Sequence, residues 1–187
     1  MPLSQPVSRS LQHTREVICQ GYLRDDGLWD IEGHLTDTKT FRMRCIERND
    51  GYIPVGEPLH GMALRITVDL DLNILDAEAS MDFTPFDLCP SIADAYRQLI
   101  GLKIESGFTK KTRSLFGGVQ GCTHLVELLG PLATTAYQAT HQARQDRDKG
   151  NWDAGAEPPP LLNSCHTFDS SGPVVQKYWP HFVSSKE

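Results

Sequence analysis

The sequence predicts an α+β fold, an antiparallel sheet of about four to five strands followed by helices that cover it. Three observations lead there. Apolar residues recur at every second position through the first half of the chain. Two of those alternating runs are joined by a short polar turn, which is the mark of an antiparallel pair with one wet face. After Phe86 the apolar spacing changes to that of a helix.

The elements follow in order. Residues 1–13 form a polar lead-in with Pro2 and Pro6. Residues 15–23, with Val17, Ile18 and Tyr22, read as a first strand, and Arg24-Asp25-Asp26-Gly27 as a turn. Trp29, Ile31, Gly33 and Leu35 then alternate with Asp30, Glu32, His34 and Thr36, a half-buried strand. Phe41, Met43 and Cys45 alternate with Arg42 and Arg44 in a third, closed by Asn49-Asp50-Gly51. The clearest hairpin pairs Leu64, Ile66 and Val68 with the run Leu75, Ala77, Ala79, Met81 and Phe83.

Beyond it, Ile92, Ala95, Tyr96, Leu99 and Ile100 have helical spacing, with Ser91 placed to cap and Gly101 to terminate. A short helix is expected over 109–116. The longest starts near Thr123, with Leu125, Leu128, Leu129, Leu132 and Ala136 on one stripe and Pro131 predicted to kink or break it. The whole is expected to be one domain, with an α+β core at 14–145. A Pro-rich connector at 146–160 leads to an aromatic tail at 161–187 that docks back on the core.

Composition narrows the function. The 187 residues carry 18 Lys+Arg against 24 Asp+Glu, a net charge of −6. Mean hydropathy is −0.36. No run approaches the ~18 apolar residues of a bilayer span, so no membrane partner is expected. No basic cluster exceeds Lys110-Lys111 with Arg113, so none is expected with nucleic acid. The N-terminal ten residues lack the apolar segment of a secretory signal, and a cytoplasmic location is expected. The five cysteines are an odd number for a disulfide framework and read as thiols or ligands. No GxGxxG, Walker loop, GxSxG or HExxH occurs, which argues against a nucleotide cofactor, phosphoryl transfer, serine hydrolysis and zincin chemistry.

The chemistry-bearing residues fall at element ends, where a scaffold can bring distant positions together. His60 precedes a strand; Cys89 and Cys122-Thr123-His124 open helices. A thiol at a helix start has its anion favoured by the unpaired N–H groups, and with neutral imidazoles the set suits zinc or iron. The expected metal ligands are therefore His60, Cys89, Cys122 and His124. The competing reading makes the two cysteines small buried hydrophobes and His124 a solvated first-turn residue. Cys165-His166 is a second Cys–His pair, in the tail. His34 and Asp37 end an alternating strand. His34 shares its polar face with Asp30 and Glu32, whose charges suit a general base. Trp29, Phe83, Phe86 and Tyr96 are candidates to line an aromatic pocket. An exposed sheet edge and the apolar tail make a homodimer an expectation.

Several separated segments carry a resemblance. HTR (13–15), RDDGLWDIEGHLTDTK (24–39), PLHGMALRITVD (58–69), GCTHLVELL (121–129) and NSCH (163–166) resemble a bacterial domain-of-unknown-function family. Some members are associated with breakdown of lignin-derived aromatic dimers, where lyases expel a hydroxymethyl group as formaldehyde and leave a stilbene. The stretch HGMALRITVDLDLNILDAEASMDF followed by Cys89 is also similar to the core of the iron–sulfur cluster scaffold family. By position, that family's ligands fall at His60, Cys89, Cys122 and His124. The chain departs from it in having His60 in place of cysteine and Cys-Thr-His in place of His-Cys.

Together these imply a small metal-dependent lyase acting on an aromatic substrate, with His124, His34 and Asp37 handling protons. The alternatives are a non-catalytic metal or cluster carrier, and a metal-free enzyme using Cys122 beside His124.

Overall fold

The computed structural model describes residues 3–148 and 158–184. Contacts divide the chain into two compact units, Met1–Thr140 and His141–Glu187. Of the connector predicted at 146–160, residues 149–157 lie outside the described residues.

The first unit is α+β. Its sheet has four antiparallel strands in the order β1 (His13–Leu23), β2 (Trp29–Lys39), β5 (Pro58–Val68), β6 (Ile74–Phe83). A second, two-stranded sheet pairs β3 (Met43–Arg44) with β4 (Tyr52–Ile53). The alternation in β2 is realised in full: Ile31, Gly33, Leu35 and Asp37 are buried, and the residues between them are half-buried or exposed. The third predicted strand shrinks to two residues because its partner, β4, is itself only two residues long.

The segment at 89–99 is helical as its spacing predicts, but wound as a 3₁₀ helix, Cys89–Leu99. Helix α1 (Phe108–Phe116) precedes α2 (Thr123–Ala139), which lies across β1, β2 and β5. Helix α2 runs on through Pro131 as one element, so of the kink or break expected there no break occurs. Proline removes one N–H from the ladder. Burial of Leu125, Leu128, Leu129, Leu132 and Ala136 against the sheet holds the flanking turns together.

The main core joins Leu35, Leu64, Ile66 and Val68 of the sheet to Tyr96, Phe116 and the α2 leucines. Close approach of helix to sheet requires glycines beneath it. A Cβ on Gly21 would lie 2.5 Å from the Ala139 Cβ, and one on Gly33 would lie 3.1 Å from Leu132. A smaller cluster of Cys45, Ile53 and Leu59, with Met43 against it, forms around the second sheet.

The second unit contains α3 (His141–Arg147) and α4 (Pro173–Tyr178) with short 3₁₀ turns at His166–Phe168 and Pro180–Phe182. Val175 is buried there, and the Phe168 and Trp179 rings lie 5.3 Å apart. Cys165 is exposed, its thiol lowered from the ordinary value by the backbone N–H groups of Phe168 and Thr167. Among the described residues, no helix is long and apolar enough to cross a membrane.

Candidate functional site

Strand register builds the site. Arg15 of β1 stands opposite Asp37 of β2, and Asp37 stands opposite His60 of β5. Directly paired residues in an antiparallel sheet point to the same face. Three polar side chains therefore form a row across three strands on the face that α2 covers. A register shift follows at Asp37/Thr38, and a bulge of this kind re-aims side chains beside it. Helix α2 contributes His124 in its first turn and Glu127 three residues on, which places both on one side of the helix.

Asp37 is the centre of the row and is 1% exposed. Arg15 grips it with both arms, Nε to Oδ1 at 2.8 Å and Nη2 to Oδ2 at 2.7 Å. Arg15 also pairs with Glu127, tying β1 to α2. His13 Nε2 lies 3.1 Å from Oδ1, and His60 Nδ1 lies 2.9 Å from Oδ2. His124 Nε2 is 3.7 Å from the same Oδ2, and the His60 and His124 rings are 3.8 Å apart, tilted by 33°. Burial by itself would raise the Asp37 carboxyl. Hydrogen bonds from Arg15 and His60, and their charge, outweigh it and hold the carboxyl at about 2.

The same burial acts oppositely on the imidazoles. His60 is pushed below its ordinary value by desolvation, which outweighs the pull of Asp37. His124 is lowered by desolvation and by the neighbouring His60 and Arg15. Both rings are therefore neutral at pH 7. A carboxylate only accepts, so the neutral His60 ring carries its proton on Nδ1, and Nε2 keeps a lone pair. That is the arrangement of a general base oriented by a carboxylate.

His60 also lines a cavity of about 520 Å³ between β3, the start of β5 and the loop after β6. Its other walls are Met43, Arg44, Cys45, Ile46, Leu59, Pro85 and Phe86. Two contacts pin these loops together. The Cys45 thiol donates to the Pro85 carbonyl at 3.1 Å, and the Asp87 N–H donates to Glu47 at 2.8 Å. Concave, mostly apolar and with few polar groups, this is the form of a small-molecule site.

The structure brings together two of the four expected ligands, His60 and His124, and adds Asp37. One atom from each of these three lies within 4.8 Å of the others. Among the described residues, neither cysteine joins such a group. Cys122 precedes α2 in extended conformation, so its Sγ reaches 3.8 Å from His124 Nδ1 and 3.9 Å from Met62 Sδ. Cys89 opens the 3₁₀ helix, half-buried and outside the group, with its N–H bonded to the Phe86 carbonyl.

A metal bound through Asp37 fits poorly. Oδ1 already accepts from Arg15 Nε and lies 3.1 Å from His13 Nε2, Oδ2 is bonded to Arg15 Nη2 and His60 Nδ1, and a fixed positive charge sits beside them.

His34 belongs to the other face of the sheet, because an odd separation from Asp37 along a strand reverses the side. It is half exposed and lies 3.7 Å from Glu32. Of the pocket aromatics, Phe86 lines the cavity. Tyr96 does not: it is fully buried, stacked on Phe116 at 4.6 Å. Its hydroxyl donates to the Cys122 carbonyl and accepts from the Cys122 N–H. It thereby sets the entry to α2, and burial pushes its hydroxyl up to about 12. Trp29 packs on the main core, and Phe83 covers Gly61 across the β5–β6 pair.

Sequence reasoning passed over His13, Arg15 and Glu127. The signal for Arg15 was its position in β1 once the β1–β2 hairpin register is counted outward from the turn at 24–27.

The chain belongs to the family described as Protein of unknown function (DUF2889), whose profile matches residues 13–138. That span begins at His13 and includes every residue of the Asp37 cluster and the cavity. No curated protein and no solved structure matches the chain.

Proposed function

We propose that this protein is a lyase that cleaves a carbon–carbon bond in an aromatic substrate, releasing formaldehyde, with the Asp37–His60 pair as its base. The observation that carries the reading is the 2.9 Å bond from the His60 ring to a buried, ionised Asp37, on a histidine that lines an apolar cavity. The family resemblance to enzymes of aromatic-dimer breakdown supplies the substrate class.

In the proposed reaction, His60 Nε2 takes the proton of a primary alcohol. The bond from the hydroxymethyl carbon to its neighbour breaks, and formaldehyde leaves. The freed electron pair forms the stilbene double bond as a hydroxyl on the adjacent carbon departs. The proton held by His60, directly or through His124, joins that hydroxide to give water. Overall a diarylpropane diol yields formaldehyde, a stilbene and water. Asp37, itself held by Arg15, stabilises the imidazolium that forms between the two proton transfers. Contributions of this kind are worth on the order of 10²- to 10⁴-fold.

A 1,2-diarylpropane-1,3-diol is the test substrate, with formaldehyde trapped as a coloured adduct and the stilbene followed by its absorbance. Stoichiometric release of both is expected, lost in His60→Ala. Absence of both products with the folded protein, or full activity of His60→Ala, would sink the reading.

A second reading keeps the reaction and adds zinc or iron, favoured by the His60 and His124 nitrogens lying within 4.8 Å of one another, with Asp37 holding the His60 ring in place rather than binding the ion. The ion would serve as Lewis acid for the alcohol oxygen. Plasma mass spectrometry on protein purified without a His-tag separates the two. Less than about 0.2 equivalents of metal excludes a tightly held ion.

A further inference from the structure

The cavity beside His60 has one permanently charged wall residue. Met43, Cys45, Ile46, Leu59, Pro85 and Phe86 are apolar or, in the case of Cys45, already bonded through the thiol. Arg44 is exposed on β3. Neighbouring arginines are occupied: Arg42 stacks over the Tyr52 ring at 3.8 Å. Arg48 donates to Glu57 at 2.6 Å and to the Pro58 carbonyl at 2.8 Å. Among the described residues, Arg44 has no such partner. A guanidinium offers a planar fork of donors that matches a carboxylate. An unpaired one on the wall of an apolar cavity, in a protein of net charge −6, is a selective feature for an anion rather than part of a general basic surface.

We propose that the cavity takes an aromatic acid, its ring against Met43, Leu59 and Phe86 and its carboxylate on Arg44, with the far side of the molecule presented to His60. The volume, about 520 Å³, falls within the range of about 300–1,000 Å³ that holds a ligand of one or two rings. Arg44 is thus a specificity-determining residue. It fixes which end of a two-ring substrate enters first, and so which carbon faces the base. The inference rests on the lyase reading for the identity of the reacting group, but its test does not use turnover.

The probes are trans-stilbene-4-carboxylate and its neutral 4-hydroxymethyl analogue, titrated into the full-length protein and followed by stilbene fluorescence. The carboxylate is expected to bind at least tenfold more tightly. Arg44→Ala should remove that preference and leave the neutral probe unchanged, with circular dichroism confirming the fold. Phe86→Ala should weaken both probes by a similar factor. Equal affinity of the two probes in the wild type, an unaltered preference in Arg44→Ala, or no binding of either probe would each overturn the proposal. Binding with the expected preference, alongside no formaldehyde from the diol, would instead retire the lyase chemistry and leave the aromatic-acid site standing.

Discussion

Replacing Asp37 by Asn keeps the side chain's shape and removes its charge. The carboxyl stands at about 2 in the fold, against an ordinary value of 3.8. A depressed value means that the ionised form is held more tightly by the native protein than by the unfolded chain. Its contribution is complete above pH 3.8 and is lost as pH falls through about 2. At 1.36 kcal/mol per unit, the difference is worth about 2 kcal/mol at pH 7, and about half of that remains at pH 3. Arg15 is a third exposed, so solvent recovers part of what it loses. Asp37→Asn should therefore unfold in urea with a midpoint lowered by the equivalent of about 2 kcal/mol at pH 7. The gap from wild type should narrow steadily as the titration is repeated toward pH 3. Tryptophan fluorescence and far-ultraviolet dichroism provide two independent signals for the transition. An equal midpoint at pH 7, or a gap that does not change between pH 7 and pH 3, would refute the reasoning that Arg15 and His60 select the charged carboxylate.

The lowered imidazoles of His60 and His124 make the base active when deprotonated. Turnover should rise with pH through a midpoint below the ordinary histidine value of 6.5 and stay level above it, and a midpoint above 6.5 would contradict the burial argument. Gly21→Ala puts a methyl 2.5 Å from the Ala139 Cβ, and neither group can turn away. The expected cost is about 1–3 kcal/mol of stability by urea unfolding, with α2 lifted from β1. Tyr96→Phe leaves the Cys122 N–H without its acceptor, while the Cys122 carbonyl keeps the Val126 N–H. It should cost about 1–3 kcal/mol and disturb the chemical shifts of His124 more than those of His34.

The strands of the main sheet, the hairpin of β5 and β6 and the stripe of α2 were legible in the chain because each rests on local periodicity. Ile31, Leu35, Leu64, Ile66 and Leu128 sit where alternation or helical spacing puts them, all buried. His60 and His124 were also legible as chemistry-bearing residues at element ends. Asp37 was legible too, as a proton-handling group at a strand end beside His34, but its pairing with His60 and Arg15 was not. Only the stagger of β1 against β2, and of β2 against β5, sets Arg15, Asp37 and His60 side by side.

The same limit explains the one pair of expected ligands, Cys89 and Cys122, that joins no common group with the histidines among the described residues. Cys89 and Cys122 both begin helical segments, and local rules describe those starts well. Whether two starts come together depends on how helices lie on the sheet, which no local rule contains. Tyr96 shows the point from the other side: its helical position is evident from spacing, but its role as a clasp on Cys122 exists only because the segment 89–99 packs beneath the start of α2. Secondary structure followed from short-range sterics and the period of apolar residues. The site followed from strand register and helix placement, which are settled by burial of the whole core at once.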